Sequence, residues 1–254
     1  MKKIFFLITI IIFIAIACKE STTEPPVEQI NDKYYVINEA ASYNYSLSIT
    51  DTNNLTFYGN RYLNFHDSTN LGGTRYKIQV DSFETFIPFD TITTTVLSYI
   101  RETNGGVFTY ADTTGFTGFL PDSLRQYLTV DRESRLLFYP LNAGQEFPVF
   151  TLSLSAYIIG ISVLDIDAKV EATENINMIV NNNPTDFIAR KIKYTFIIRP
   201  GSSIVYEYTA YGWAVKDLGF VRWEGDSEVF NFLFNENIFP PSTTITMNLK
   251  QYQL

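Results

Sequence analysis

The chain has 254 residues, 46% hydrophobic and 16% aromatic, enough apolar material for one sizeable core. Its 27 acidic and 19 basic side chains give a formal charge of −8, a balance that repels phosphate backbones and excludes nucleic acid as the natural partner. With one cysteine and one histidine, there is no disulfide framework and no zinc site of the usual His/Cys kind.

The chain opens with Met1, Lys2 and Lys3, then runs apolar from Ile4 to Ala17, broken only by Thr9. A short basic stretch before an apolar run of this length is the layout of a secretory signal peptide. It is too short for a comfortable transmembrane helix, which needs about 20 apolar residues. The run closes on Ala15-Ile16-Ala17-Cys18, which resembles the lipobox of bacterial lipoprotein precursors, with Ala15 where Leu is usual. The resemblance implies cleavage after residue 17, diacylglycerol on the Cys18 thiol and a further acyl chain, such as palmitate, on its amine. Cys18 is thus the expected lipid-attachment site, and two or three acyl chains hold a protein stably on a membrane.

Residues 18–33 comprise this cysteine and a stretch rich in Ser, Thr, Glu and Pro, read as a flexible tether. Lys19 stands where many inner-membrane lipoproteins carry Asp, which favours the outer membrane and leaves the leaflet open. Loss of residues 1–17 removes Lys2 and Lys3 but no acid, leaving 17 basic against 27 acidic side chains.

From residue 34 onward the pattern is β. Tyr43, Tyr45, Leu47 and Ile49 alternate with polar residues, and Tyr76, Ile78 and Val80 alternate with Lys77, Gln79 and Asp81. A period of two predicts strands with one buried and one wet face, the first set inward and the second outward. Asp51-Thr52-Asn53-Asn54 and Asn104-Gly105-Gly106 read as turns, and Pro121–Leu128 is the one stretch that reads as a helix, about two turns long. Beyond it, Ile192, Tyr194, Phe196 and Ile198 predict another strand, as do Ile245, Met247 and Leu249. Asn181–Pro184, Pro200-Gly201-Ser202 and Glu224-Gly225-Asp226 read as loops between strands.

Two stretches, starting at Tyr35 and Tyr139, carry Tyr, a branched aliphatic, Asn and an aromatic at matching offsets. They suggest two related halves, 34–128 and 129–254, although alternating strands match one another easily. The second half also resembles a pattern in uncharacterised bacterial envelope lipoproteins. The residues that carry it are Tyr139-Pro140-Leu141 with Gly144, Pro184 with Phe187–Lys191, and Trp213-Ala214 with Leu218-Gly219-Phe220-Val221-Arg222. Asp186 and Phe147 depart from it, standing where Gly and Trp are common. The resemblance implies a β fold and an envelope address, and no mechanism.

Little chemistry is available. His66 would have to serve any Ser-His-Asp triad, yet Asp67 beside it in a strand would point to the opposite face. Asp165 and Asp167 would share a face and could split their pKa values as a glycosidase or calcium pair, or stand solvated. Glu224, Asp226 and Glu228 form a second acidic group. Trp213 and Trp223 are a large packing pair or the start of a glycan platform, and Gly219 is a turn glycine.

The expected fold is therefore all-β and antiparallel: a strongly curved sheet, a sandwich or a partly open barrel of hairpin-connected strands over residues 34–254, with at most one short helix. The expected function is that of a membrane-anchored envelope lipoprotein, a non-catalytic binding or structural module with an envelope protein, glycan or lipid partner. The alternative is a carrier of a lipid or other apolar ligand in a β-lined cavity. No cofactor, metal or catalytic group is assigned.

Overall fold

The computed structural model describes residues 33–111, 127–156, 159–199 and 205–254. The signal peptide, Cys18, the tether up to residue 32, the turn at 200–202 and residues 121–126 of the predicted helix lie outside the described residues.

Among the described residues the chain forms β1 (Ser42–Thr50), β2 (Thr56–Leu71), β3 (Thr74–Ile87), β4 (Asp90–Thr103), β5 (Gly106–Tyr110), β6 (Leu128–Val130) and β7 (Glu133–Phe138). It continues as β8 (Glu146–Ala156), β9 (Ile159–Val180), β10 (Asn183–Ile198), β11 (Tyr206–Val215), β12 (Gly219–Asp226), helix α1 (Ser227–Leu233) and β13 (Thr244–Gln253). All thirteen strands belong to one sheet in the order β6-β8-β9-β10-β11-β12-β13-β1-β2-β3-β4-β5-β7. Every pairing is antiparallel, so the fold is all-β as the period-two patterns predict.

The order has a geometric consequence. The edge strands β6 and β7 are separated by only two residues, Asp131 and Arg132. The Asp131 N–H donates to Thr151 of β8, while the Arg132 carbonyl accepts from Ala111 just beyond β5. Sheet twist has brought the two edges face to face without a closing ladder between them. The last strand, β13, pairs with the first, β1, and seals the centre of the sheet. Runs β1–β5 and β8–β12 are each a five-stranded meander. Consecutive pairing alone produces that order, so it fits a duplication without requiring one.

The concave face holds one continuous core. Tyr43, Tyr45, Leu47 and Ile49 of β1, Ile192, Tyr194 and Phe196 of β10, and Ile245, Met247 and Leu249 of β13 are buried in the predicted phase. In β3 the core phase is reversed: Gln79, Asp81 and Phe83 point inward and are buried, while Ile78 and Val80 are only partly covered on the outer face; Tyr76 of the predicted set is buried as expected, covered by Tyr110 and Glu133.

Three further expectations are corrected. Leu128, placed at the end of a helix, opens strand β6. Pro184 lies within β10, opposite Ile179, so only Asn181 and Asn182, both at positive φ, make that turn. Glu224-Gly225-Asp226 is the end of β12 rather than a loop. Gly225 has φ +151, and a Cβ there would lie 2.4 Å from the Ala210 Cα, so the sheet needs its missing side chain, not a turn.

Helix α1 follows directly and turns its phenylalanines into the core. Phe232 meets Phe150 and Phe196 at centroid distances of 4.9 and 5.6 Å, and Phe234 meets Phe83 at 5.2 Å. The helix thus fills the sheet's interior near one rim, with contacts to strands from both meanders.

The edge strand β7 is pinned on the outer face by Glu133. Its Oε1 accepts from the Tyr76 hydroxyl at 2.5 Å and from Arg101 Nε at 2.6 Å, and its Oε2 accepts from the Arg101 guanidinium at 2.6 Å. Burial pushes the Glu133 pKa up, but the bonds from Arg101 and Tyr76 outweigh it and hold the carboxyl below its usual range. A depressed folded pKa means the stabilisation is present above the unfolded pKa and lost as pH falls through the folded one. Glu133→Gln should cost about 1–2 kcal/mol at neutral pH. In urea unfolding the gap to wild type should shrink toward about pH 3, and an equal gap at both pH values would refute the assignment.

Candidate functional site

The residues nominated from sequence do not converge. His66 is exposed on β2. Its separation from Asp67 by strand alternation does not hold, because a bulge between His66 and Ser68 leaves Asp67 out of the ladder and both side chains exposed. Asp165 and Asp167 do share the outer face of β9, alternating with buried Leu164, Ile166 and Ala168. Asp165 is ion-paired with Arg199. Burial, and then the Asp165 charge, push the Asp167 carboxyl up from its usual value.

The second acidic group serves the fold. Glu224 pairs with Arg222, and Asp226 Oδ2 accepts the Thr209 N–H at 2.7 Å. Glu228 Oε1 accepts the Ser242 N–H at 2.8 Å, tying α1 to the approach to β13. Trp213 donates Nε1–H to Glu174 at 2.7 Å and lies beneath Arg222 and Lys191; Trp223 packs 4.0 Å from Phe220. Both tryptophans are buried, so neither is an open platform. Gly219 has φ +117 beside the Tyr35 ring, as a turn glycine should.

Sequence reasoning missed a charged cluster inside the core. Arg61 is 3% exposed and Asp81 0%. The guanidinium donates to Asp81 Oδ1 through Nε at 2.8 Å and Nη2 at 2.7 Å. Gln79 Nε2 donates to Asp81 Oδ2 at 2.6 Å, and the Tyr35 hydroxyl donates to Gln79 Oε1 at 3.3 Å. Rings of Phe234, Tyr45 and Phe83 surround the cation at 4.6, 5.2 and 5.7 Å. Burial alone would lower the Arg61 pKa, but Asp81 more than offsets it, so the net shift is upward. Burial likewise pushes the Tyr35 hydroxyl well above its ordinary value. A signal was present: Arg61 is in phase with Leu63 and Phe65, and Asp81 with Phe83, on neighbouring strands.

Two features of the helix rim stand out. The first is a cleft of about 270 Å³ between β4, β5, β7 and the end of α1, with Thr95, Ser98, Thr109, Ser134, Asn235 and Glu236 among its walls. Ser98 is 9% exposed, and its hydroxyl has no hydrogen-bond partner among the described residues. A hollow of only about 30 Å³ lies deeper, beside Trp223 and Phe230. The second feature is apolar exposure. Tyr58 and Phe86 are cross-strand neighbours on the outer face, and Leu55 and Ile92 are exposed nearby on the same rim. Beyond them the turn Pro88-Phe89 holds Phe89 at φ +71 with its ring wholly in solvent. A left-handed conformation is unfavourable for a bulky residue, and nothing in the core is gained by it.

At the opposite rim, Lys33 begins the described chain. Its carbonyl accepts from the Asp217 N–H at 2.9 Å in the β11–β12 turn, and its amine lies 3.7 Å from Glu102 near the end of β4. Lys33 is thus held at the rim opposite Phe89.

No protein-family model matches the chain, and no curated protein matches it. Among solved structures, a protein inferred to be exported, with a YmcC-like fold, from Bacteroides fragilis aligns at 13% identity and TM-score 0.45, covering 88% of this chain and all of that one. A protein inferred to be a lipoprotein from Parabacteroides distasonis aligns at 14% identity and TM-score 0.43, covering 87% and 98%. Likenesses this distant say nothing of ligand or activity.

Proposed function

We propose that this protein is a membrane-anchored envelope lipoprotein, held by Cys18, that works as a non-catalytic binding module through its helix rim. The observation that carries the reading is the pairing of a filled core with exposed aromatic residues at that rim. Phenylalanines of α1 occupy the space that a carrier would leave for its ligand, and the open cleft is walled largely by hydroxyl, amide and carboxylate groups. Tyr58, Phe86 and Phe89 offer large apolar area at low entropic cost, as contact residues do. The favoured address is the outer membrane.

Two measurements test the reading. Cys18→Ser should move nearly all of the protein to the soluble fraction or trap it as unprocessed precursor, and undiminished membrane attachment would refute the anchor. A photo-crosslinking residue at position 89 should give a discrete adduct in the intact envelope, while the same residue at exposed Ile188 should not. Equal patterns at both positions would remove the helix rim as the binding surface.

A further inference from the structure

We infer that a groove on the outer face of β1, β2 and β13 is a binding site for a linear neutral oligosaccharide. It lies at the start of β1, at the other end of that strand from the helix rim, so it is a second surface and does not rest on the first. The groove has a volume of about 380 Å³, walled by the start of β1, the middle of β2, the end of β13 and Asn181 of the β9–β10 turn. Strand β1 is paired with β13 on one side and β2 on the other from Ser42 to Thr50, so the face offers side chains and no strand edge.

A β-bulge builds the groove. In β13 the core-facing residues are Ile245, Met247 and Leu249, and strict alternation would turn Gln251 and Gln253 inward as well. The register slips at Lys250, so Leu249 pairs with Tyr45 but Gln251 pairs with Asn44. Gln251 and Gln253 thereby join the outer face in two cross-strand rows, Gln253-Ser42-Asn64 and Gln251-Asn44-Tyr62. Neighbours within a row stand about 5 Å apart. The β12–β13 ladder ends before this point, at Asn248. Asn181 takes its place. Its backbone N–H donates to the Lys250 carbonyl at 2.8 Å, its Oδ1 accepts the Tyr252 N–H at 3.1 Å, and its Nδ2 donates to the Tyr252 carbonyl at 3.4 Å.

The walls select the ligand. No charged side chain lines the groove, on a chain of net charge −8, so a phosphate, a carboxylate sugar or an ammonium group finds no counter-charge there. The side-chain amides of Asn44, Asn64, Gln251 and Gln253 make no hydrogen bond among the described residues, and Asn44 Oδ1 is buried without a partner. Such an orphan costs stability, and a ligand hydroxyl would relieve it. Held by no bond, the Asn44 amide can turn about its last torsion to present that oxygen. Each amide offers a donor and an acceptor side by side, which suits hydroxyls that both donate and accept. Tyr62 adds an aromatic surface for the C–H face of a sugar ring. A peptide bound by strand addition would need free backbone groups, and β1 and β2 are paired on both sides here.

The probes are maltohexaose, cellohexaose, mannohexaose and xylohexaose, titrated into the full-length protein in a detergent without a sugar headgroup, with the hexamer of galacturonic acid as the charged control. At least one neutral hexamer should bind with a Kd between about 10 μM and 1 mM. Its affinity should not change between about 0.05 and 0.5 M salt, and the acidic hexamer should not bind. The side-chain NH₂ signals of Asn44 and Gln251 should shift in NMR spectra during the titration. Asn44→Ala and Gln251→Ala should each weaken binding about five- to tenfold, while Asn53→Ala, in the exposed β1–β2 loop at the other end of β1, should not. Asn44→Ala should also leave the melting temperature unchanged or raise it, because the orphaned oxygen goes with the side chain.

Three results would each overturn the proposal: no binding of any neutral hexamer, equal binding of the acidic one, or an affinity unchanged in both groove variants. None of these outcomes bears on the adduct at position 89, so the helix rim stands or falls separately.

Discussion

Asp81→Asn should destabilise the domain by about 3–5 kcal/mol, because it leaves the Arg61 guanidinium buried without a counter-charge. The substitution preserves shape, so the loss is electrostatic rather than a cavity effect. Gln79 compounds it, since its amide is aligned to donate to Asp81 Oδ2 and would face an amide instead. Against a typical total stability of about 5–15 kcal/mol, that is a large share. Arg61→Met alone should cost a similar amount by stranding the carboxylate. The double replacement Arg61→Met with Asp81→Leu should recover most of the loss, because a buried pair replaced by apolar groups of like volume is often neutral or better. Urea unfolding of the four proteins forms the cycle. A loss below about 1 kcal/mol for Asp81→Asn would show that water reaches the pair and that the core is not closed there.

Phe230→Ala is the second large expected loss, about 3–5 kcal/mol. Phe230 is fully buried and meets Trp223 edge-on at 5.9 Å, Phe239 at 6.4 Å and Phe234 at 6.4 Å. Removing the ring would join its space to the small hollow beneath it, which Trp223 and Phe230 already line. The variant should therefore gain binding of a small apolar probe such as benzene, as dry engineered cavities do, together with a change in Trp fluorescence. Wild type should bind none. Binding of the probe by wild type at unit stoichiometry would mean that the interior is open to ligands, and the carrier reading would replace the binding module.

Helix α1 shows why the core's filling could not be read in advance. Phe230, Phe232 and Phe234 recur with a period of two, which is a strand signature, yet the segment is helical. The Asp226 side chain makes no cap bond to the helix and bonds to Thr209 instead, so the usual start signal is absent in practice. The helix is set by packing against strands from both meanders, and local propensity has little part in it. Phe89 was equally silent, because a turn carried by Pro88 and an aromatic lacks the Gly or Asn that marks positive φ.

The sequence by itself determined the period-two strands, the antiparallel all-β class, and most of the buried face of β1, β10 and β13. It also supplied the Cys18 motif and its expected address. These are local properties: alternation, turn chemistry and a linear signal are each written over a few neighbouring residues. Only the tertiary structure decided that the sheet's edges approach without pairing and that β3 turns Gln79 and Asp81 inward. Each of those depends on a partner distant in sequence, as Asp81 depends on Arg61 twenty positions away, across the β2–β3 ladder. A charge in an apolar phase reads as an outward face until the strand that carries its counter-charge is known.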